Sequence, residues 1–493
     1  MTVVAHFPAL QVVLPLLTAP LCTLLRHARL AWAAALTASW AAFAMAIVLF
    51  VEATTGGPIS YAVGGWAPPW GIEIRIDAAN AFVLLIVTAM GALVMAYAPR
   101  SVEREIGADR AYLFYTAFML CLAGLIGVTI TGDAFNVFVF LEVSSLSTYI
   151  LVSLGRDRRA LYAAYQYLIL GTIGATFYLI GVGLLYQVTG TLNMADLAVR
   201  LGGQEEVRGV RAAFAFLTVG LSLKLALFPL HLWLPNAYTY APSAVSGFLA
   251  ATATKVAIYL LLRVFFTIFG HDFSFVHMPL GEIVTVLAVV AMFVASTVAI
   301  FQEDAKRMLA YSSVAQVGYI VLGIGMATVA GVQAGVLHLF NHALMKGALF
   351  LALGAVTWRL GSTDIKVLAG LGRRMPWTAA ALVAGGLSLI GVPGTVGFVS
   401  KWVLIGAVLE DERWWLAGLI LLSSLLAFVY VWRLVEVAYL RASPDGAPAG
   451  EAPVAMLVPV WILIAANVYF GIDTRFPLGM AGAAARALVG SGG

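Results

Sequence analysis

The sequence predicts an all-α polytopic membrane protein with about fourteen transmembrane helices. Hydrophobic residues make up 62% of the 493 residues and charged residues only 11%, whereas soluble domains carry about 25% charged residues. Apolar runs of about 20 residues, the length that crosses a bilayer, recur along the chain. Two of these runs hold a lysine close to a proline, which predicts two broken helices. We therefore expect a multi-pass protein of the plasma (inner) membrane that lies almost wholly in the lipid bilayer.

The apolar runs divide the chain into four parts. We predict helices 1–3 in 1–110, a first five-helix repeat in 111–268, a second in 281–440, and helix 14 with a tail in 453–493. The predicted spans are about 5–25, 30–53, 77–98, 111–130, 132–154, 160–188, 211–237, 242–268, 281–301, 306–327, 330–358, 377–407, 413–440 and 453–472.

The distribution of arginine and lysine in the loops predicts the orientation. One set of loops is richer in these residues, although Arg200, Arg208 and Arg211 lie in the opposite set. The richer side is expected to be cytoplasmic, which places both termini on the non-cytoplasmic side. The basic residues assigned to it are Arg26, Arg29, Arg100, Arg104, Arg110, Arg156, Arg158, Arg159, Lys306, Arg307, Lys366, Arg373 and Arg374.

The seventh predicted span contains LSLKLALFPLHLWLP at 221–235. Lys224 places an ammonium group near the bilayer centre, at a cost of roughly 2.5–3.5 kcal/mol. Pro229 removes a backbone N–H and should break the helix, which is tolerated at this depth only beside protein or a water-filled cavity. A lysine at a broken helix near the midplane is typical of ion-coupled transporters. The alternative is a lysine that extends to the membrane surface beside a simple kink.

The twelfth predicted span contains the same two features in reverse order. Pro393 precedes Lys401 in GVPGTVGFVSKW, whereas Lys224 precedes Pro229 in the seventh span. Inverted-topology repeats produce this reversal. We therefore predict that 111–268 and 281–440 are inverted repeats, with broken helices 7 and 12.

Further ionisable residues lie inside the predicted spans, where such residues are functional candidates. Glu142 is central in the fifth span and Lys255 in the eighth. His338, His342 and Lys346 are spaced i, i+4, i+8 in the eleventh span and share one helix face. Burial disfavours the charged forms of lysine and glutamate, and histidine titrates near neutral pH. The set therefore predicts a chain of buried groups that passes protons through the bundle.

The same residues could have other roles. His338 and His342 could supply half of a metal site, but no third ligand follows nearby, so we expect no metal. They could also serve only in helix packing, although Lys346 on the same face weakens that alternative. The loops are too short for a soluble domain and contain no GxGxxG, P-loop or HExxH motif. We expect no nucleotide or redox cofactor, and the net charge of +4 reflects loop residues rather than nucleic-acid binding.

The sequence resembles the antiporter-like subunits shared by respiratory complex I, membrane-bound hydrogenases and Mrp-type multisubunit cation/proton antiporters. Its length and the stretches TGTLNMADLA and FVSKW are most similar to the D subunit of the Mrp-type antiporters. The resemblance covers most of the chain from about 110 to 405. The matching stretches are GDAFNVFVFLEVSSLSTY, TGTLNMADLA, KLALFPLHLWLPNAYTYAPSAVSGFLAATATKVAIY, QEDAKRMLAYSSVAQVGY, HLFNHALMKGALF and GVPGTVGFVSKW.

The resemblance implies roles for the residues that match. Glu142 matches the family's glutamate of the fifth helix, which pairs with the lysine matching Lys224. Lys255 matches the connecting lysine of the eighth helix, and Lys401 the terminal ionisable residue of the twelfth. The polar axis of the eleventh helix is matched by His338, His342 and Lys346. Some complex I subunits carry glutamate where this chain has Lys401, which argues against that subunit type.

The resemblance also implies a function, a proton-translocating subunit of a multisubunit Na⁺/H⁺ antiporter. Such a protein is a secondary transporter rather than an enzyme, without cofactors, and its partners are other membrane subunits, protons, a monovalent cation and lipid. One alternative is a proton-pumping subunit of complex I or a membrane hydrogenase. A second is the membrane partner of a bicarbonate-accumulating complex. A third is a stand-alone carrier.

Overall fold

The computed structural model describes residues 3–443 and 450–490, which form a bundle of long helices. Within these ranges, twelve helices are long and apolar enough to cross a membrane. The seventh and twelfth predicted spans are each divided into two shorter helices. The prediction of a helical polytopic membrane protein is therefore confirmed.

The N-terminal part combines three long helices with a two-stranded antiparallel hairpin. The hairpin occupies the Gly- and Pro-rich loop before the third helix and pairs Ile59 with Ile76. Asp77 follows it and caps the third helix, because its carboxylate accepts the N–H groups of Ala79 and Asn80. The elements are α1 (Phe7–Leu25), α2 (Ala28–Thr55), β1 (Ile59–Ala62), β2 (Glu73–Ile76) and α3 (Ala78–Glu105).

The second part contains seven helices and the first helix break. Asp133 caps its second helix by accepting the N–H of Asn136 at 2.7 Å, and its backbone forms an isolated bridge with Asn193. Asn193 in turn caps the short helix that follows. The helices are α4 (Ala111–Ile130), α5 (Ala134–Ser153), α6 (Arg159–Thr189), α7 (Met194–Leu201), α8 (Arg208–Lys224), α9 (Trp233–Tyr240) and α10 (Ser243–Leu262).

The third part has a similar arrangement of caps and a second break. Asp304 caps a helix by accepting the N–H of Arg307 at 2.9 Å, and it forms an isolated bridge with Asp364. Asp364 begins a short 3₁₀ turn, Ile365–Leu368. The helices are α11 (Leu280–Ile300), α12 (Ala305–Gly325), α13 (Val329–Leu360), α14 (Leu371–Arg374), α15 (Pro376–Ile390), α16 (Val396–Glu410) and α17 (Trp414–Val435).

Helix α13 lies at the centre of the bundle and is enclosed by other helices along its most apolar part. It packs against α3, α10, α12, α15 and α16, and against the last two helices of the chain, α18 (Val454–Ile472) and α19 (Arg475–Val489). Because α13 is shielded from lipid, its ionisable side chains face protein rather than hydrocarbon, the arrangement expected for polar groups at this depth.

The first helix break separates α8 from α9. Helix α8 ends at Lys224, and Pro229 lies in the irregular segment before Trp233. The indole N–H of Trp233 donates to the carbonyl oxygen of Leu223 at 2.9 Å, which satisfies a carbonyl of the last turn of α8. The Trp233 ring also stacks on Tyr167 with 3.9 Å between centroids. A buried aromatic residue therefore holds the two halves of the span in place.

The second break separates α15 from α16. Helix α15 ends at Ile390, and Gly391 follows in the left-handed region with φ of 96°, which favours glycine. Pro393 lies in the segment before Val396. Both predicted spans that combine lysine with proline are thus interrupted close to the lysine.

The second break depends on a close approach at Gly397. A Cβ atom there would lie 1.7 Å from the carbonyl oxygen of Ser388, so we expect Gly397→Ala to destabilise the protein by about 1–3 kcal/mol. The measurement is thermal unfolding of the purified protein in detergent. Gly406→Ala on the same helix is the control, because a Cβ at Gly406 meets no atom within 4 Å. Equal stability of the two variants would contradict the prediction.

Candidate functional site: a buried line of titratable side chains

The first group of predicted site residues lies where α5 meets the end of α8. Lys224 is 8% exposed, and its Nζ donates to Ser145 Oγ at 2.7 Å. Glu142 lies one turn before Ser145 on α5, and no ion pair within 4 Å joins it to Lys224 in the described structure. Its carboxylate still acts on the ammonium electrostatically, while Glu142 Oε1 is buried with no hydrogen-bond partner among the described residues. Ser145, rather than Glu142, is therefore the direct hydrogen-bond partner of Lys224.

Lys255 lies in the middle of α10 and is completely buried. Its Nζ donates to the carbonyl oxygen of Ala250 and approaches Thr254 Oγ1 at 3.4 Å, so the side chain turns back along its own helix. The Lys255 charge acts on the three ionisable residues of α13, namely His338, His342 and Lys346. Lys255 therefore interacts electrostatically with all three ionisable residues on this face of α13.

Lys346 anchors one end of that face. Its Nζ donates to the carbonyl oxygen of Leu309 at 2.9 Å and to the hydroxyl of Ser312, both on α12. Lys346 is fully buried, and no carboxylate pairs with it within the described residues. Its ammonium is held by these two oxygen atoms of α12, and the charged residue that acts on it is another base, Lys255.

The two histidines of α13 have different surroundings. The Nδ1 of His338 is 2.8 Å from Ser400 Oγ, and its Nε2 is 2.8 Å from Gln316 Oε1. His342 is equally buried, yet neither of its ring nitrogens has a partner in the described part of the chain. The rings are nearly parallel with centroids 6.1 Å apart. A buried imidazole without partners is costly, so hydrogen bonding does not account for the burial of His342.

Lys401 lies beside the second helix break. Its Nζ donates to the carbonyl oxygens of Leu389 and Ile390 at 3.1 and 2.8 Å, and to Ser424 Oγ at 3.1 Å. The two carbonyls belong to the last turn of α15, where the break removes their helical partners. The ammonium also lies 4.8 Å from the ring centroid of Tyr319. The broken helix thus provides the acceptors that hold Lys401 in the interior.

The structure arranges the seven ionisable candidates in two groups, each linked by contacts or electrostatic pairs. Lys255, Lys346, His342, His338 and Lys401 form the larger group, and Glu142 with Lys224 forms the smaller. No direct hydrogen bond joins the two groups among the described residues. We call the seven residues the buried line; six of them are buried, and Glu142 is half-buried with its Oε1 atom enclosed.

Sequence reasoning missed most of the hydroxyl and amide side chains that contact the buried line. Ser145 lies in a cluster of hydroxyl residues beside Glu142. No comparable cluster or motif in the sequence distinguishes the other four residues, Gln316, Tyr319, Ser400 and Ser424. Polar residues in apolar spans are the only indication the sequence offers for them. The described residues contain no group of three or more His, Cys, Asp or Glu side chains arranged to hold a metal ion.

The fold is a helical membrane bundle with two interrupted spans, and it encloses a buried line of Glu, Lys and His. This combination places the chain in the class of antiporter-like membrane subunits. Residues 131–427 match the family model described as NADH:quinone oxidoreductase/Mrp antiporter, transmembrane. The chain belongs to this family.

Individual relatives agree with the family assignment. The chain is 41% identical over 484 residues to NADH-quinone oxidoreductase subunit N of Desulforudis audaxviator, covering 95% of this chain and 96% of the relative. It is 32% identical over 428 residues to the D subunit of the Na⁺/H⁺ antiporter of Alkalihalophilus pseudofirmus, covering 87% and 85%. A chain in the Mrp complex of Dietzia sp. superposes with a TM-score of 0.91 at 27% identity, covering 99% and 98%.

Proposed function

We propose that the chain is the proton-translocating D subunit of a multisubunit monovalent cation/proton antiporter that exchanges Na⁺ for H⁺. The observation that carries the proposal is the buried line, because isolated ionisable side chains inside an apolar bundle are costly and mark proton or ion pathways. The similarity to the D subunit of a Na⁺/H⁺ antiporter and to the Mrp complex fold supports the same function.

Each residue of the buried line has a role in the proposed pathway. Glu142 and Lys224 take up and release a proton at one end, where Ser145 accepts a hydrogen bond from the Lys224 ammonium. Lys255 connects this end to α13, where Lys346, His342 and His338 relay the proton. Lys401 exchanges it with one aqueous side at the second helix break.

The proposed pathway would lie across two inverted repeats, 111–268 and 281–440. The paired caps support this relation: Asp133 bridges Asn193 in the first unit, and Asp304 bridges Asp364 in the second. Each unit also contains one interrupted span with its lysine beside the break. The repeats would place two equivalent proton sites, around Lys224 and Lys401, in opposite orientations within the membrane.

A second candidate is a proton-pumping membrane subunit of an NADH-quinone oxidoreductase. The 41% identity to a protein named subunit N favours it. The two candidates share the buried line and differ in the assembly that drives it, since one is powered by a cation gradient and the other by a redox reaction.

The test is to purify the intact complex, identify its subunits and assay it in vesicles. We expect small antiporter subunits as partners, and a proton gradient that responds to added Na⁺ without NADH. Quinone-handling partners, with proton movement that requires NADH and is indifferent to Na⁺, would instead establish the second candidate. Proton movement that ignores both would overturn the proposal.

His342 provides a prediction that separates function from stability. We expect His342→Leu to abolish exchange without lowering thermal stability, because the substitution removes a buried imidazole that has no partner among the described residues. His338→Leu should lose exchange and also lose about 1–3 kcal/mol of stability, because it leaves Ser400 and Gln316 without the imidazole. Exchange is measured as cation-dependent ΔpH in everted vesicles, and stability as thermal unfolding in detergent. Normal exchange in His342→Leu would remove this residue from the pathway.

A further inference from the structure

A buried lysine outside the buried line has an unexpected environment. The sequence places Lys306 among the basic residues of one membrane side, at the start of a predicted span. It lies in the first turn of α12, as expected, but is only 4% exposed. Its Nζ donates to Ser243 Oγ at 2.8 Å. Ser243 is its direct hydrogen-bond partner, while the carboxylates of Glu105 and Asp304 act on its charge electrostatically.

Ser243 continues the contact to a carboxylate. Glu105 Oε2 is 3.0 Å from Ser243 Oγ and 3.0 Å from the backbone N of Ser243, while Glu105 Oε1 accepts the hydroxyl of Ser101 at 2.6 Å. With Lys306 as donor to Ser243 Oγ, the serine hydroxyl points its hydrogen at Glu105. The three side chains therefore form a directed relay, Lys306 to Ser243 to Glu105.

The outer end of this relay lies among exposed side chains at the end of α3. Glu105 is the last residue of α3 and is partly exposed, and the neighbouring Arg104 and Glu103 are exposed. Ser243 and Lys306 are buried behind it, in the first turns of α10 and α12. Helix α13 closes over the relay at Gly354, where a Cβ would lie only 2.6 Å from the Ser243 Cβ. The relay is thus open to water on one side only.

The inner end of the relay points to the buried line. Lys306 lies one turn before Leu309 on α12, and the Leu309 carbonyl oxygen accepts the Nζ of Lys346. Lys306 and the acceptor of Lys346 thus lie on neighbouring turns of α12, which rises about 5 Å per turn. The helix that Ser243 begins, α10, also carries Lys255, which acts on Lys346.

We propose that Glu105, Ser243 and Lys306 form an entry that passes protons between the aqueous face at the end of α3 and Lys346. In the inward step, protonated Glu105 gives its proton to Ser243 Oγ while the Ser243 hydroxyl gives its own hydrogen to a neutral Lys306 amine. One O–H bond breaks at Glu105 and one N–H bond forms at Lys306, and the serine ends unchanged as a hydroxyl. The products are the carboxylate and the ammonium, the arrangement seen in the structure. This inference rests on the proposed proton-translocating function.

The purely structural alternative is that Glu105 only caps the first turn of α10. Ser243→Ala separates the two roles, because Glu105 can still accept the backbone N–H of residue 243 while the relay hydroxyl is lost. Ser246→Ala is the matched control: this serine is buried on the same helix, and its Oγ donates to the Tyr238 carbonyl at 2.8 Å, away from the relay.

The experiment measures Na⁺ flux, driven by an imposed pH gradient, in vesicles that hold the assembled complex. We expect Ser243→Ala, Glu105→Gln and Lys306→Met to lower the flux at least about tenfold, with normal thermal stability for Ser243→Ala. Imidazole, a small mobile proton carrier, should restore part of the flux in Glu105→Gln. Ser246→Ala, Glu103→Gln and Lys366→Met should behave as wild type.

Two outcomes would contradict the proposed proton entry through Glu105, Ser243 and Lys306. Both can be distinguished from failure of the proposed function. Wild-type flux in Ser243→Ala, while Lys255→Ala is inactive, would leave the buried line in use and reject the entry. Losses in the relay variants that imidazole never relieves, matched by losses of thermal stability, would also reject it. Wild-type flux in Lys255→Ala itself would reject the proposed function, and the entry with it.

Discussion

Replacing Lys224 with alanine or Glu142 with glutamine is expected to abolish cation/proton exchange while the subunit still accumulates in the membrane. Lys224 donates to Ser145 at the end of a broken helix, and Glu142 acts on it without a direct ion pair. Removing either group deprives this end of the buried line of a titratable partner, and a missing acid–base group costs about 10²–10⁴ in rate. The measurement is Na⁺-dependent ΔpH in everted vesicles, with immunodetection of the subunit.

Matched substitutions outside the buried line serve as controls. Glu282→Gln and Lys366→Ala remove a carboxylate and an ammonium from exposed positions, so both should retain wild-type exchange. Near-normal exchange in either Lys224→Ala or Glu142→Gln would show that the two residues do not act together in transport.

Lys401→Arg is expected to assemble normally and to be inactive. Arginine can still donate to the carbonyls of Leu389 and Ile390 that the helix break leaves free, but it does not release a proton at any working pH. Lys401→Ala should be inactive as well and less stable, because it leaves those carbonyls without a donor. We expect Lys401→Glu to keep part of the exchange, provided the carboxyl group is protonated when it faces the two carbonyls.

The three Lys401 variants distinguish the two roles considered for this residue in the same ΔpH assay. If Lys401 were only an anchor at the membrane edge, arginine would be the best substitute and glutamate the worst. An active arginine variant would therefore defeat the proton-exchange role. Lys366→Arg, an exposed lysine replaced in the same way, controls for effects of the substitution itself.

The sequence was sufficient to predict a helical membrane protein and the two interrupted apolar segments, because apolar length and proline act locally. Lys224 and Lys401 lie in α8 and α16, the helices next to the two breaks, as their distance in sequence from Pro229 and Pro393 indicates. Hydrogen-bond partners depend instead on how each helix is rotated against its neighbours. That is why Ser145, rather than Glu142, accepts the Lys224 ammonium.

Two further features could be recognised only from the packing of the helices in the structure. Lys306 has the sequence context of a loop residue at the start of a span, and only the packing of α12 against α10 shows that it is buried. The sequence predicts only a tail after the last span, but α19 forms there and packs against α3 and α13, with Phe476 beside Phe82 and Phe340. Helix α19 is too short and too mixed in composition to be predicted as a transmembrane span.

The composition of the buried line limits how many protons it can hold at once. It contains four lysines and one glutamate, so ionising these five groups with both histidines neutral would leave three positive charges without a carboxylate counterpart. Two unit charges about 10 Å apart repel by about 1.7 kcal/mol at an effective dielectric of about 20. Proton binding along the line is therefore expected to show negative cooperativity, in which a proton loaded at one lysine weakens the hold of the next. If the line conducts protons as proposed, loading at one end is expected to promote release at the other.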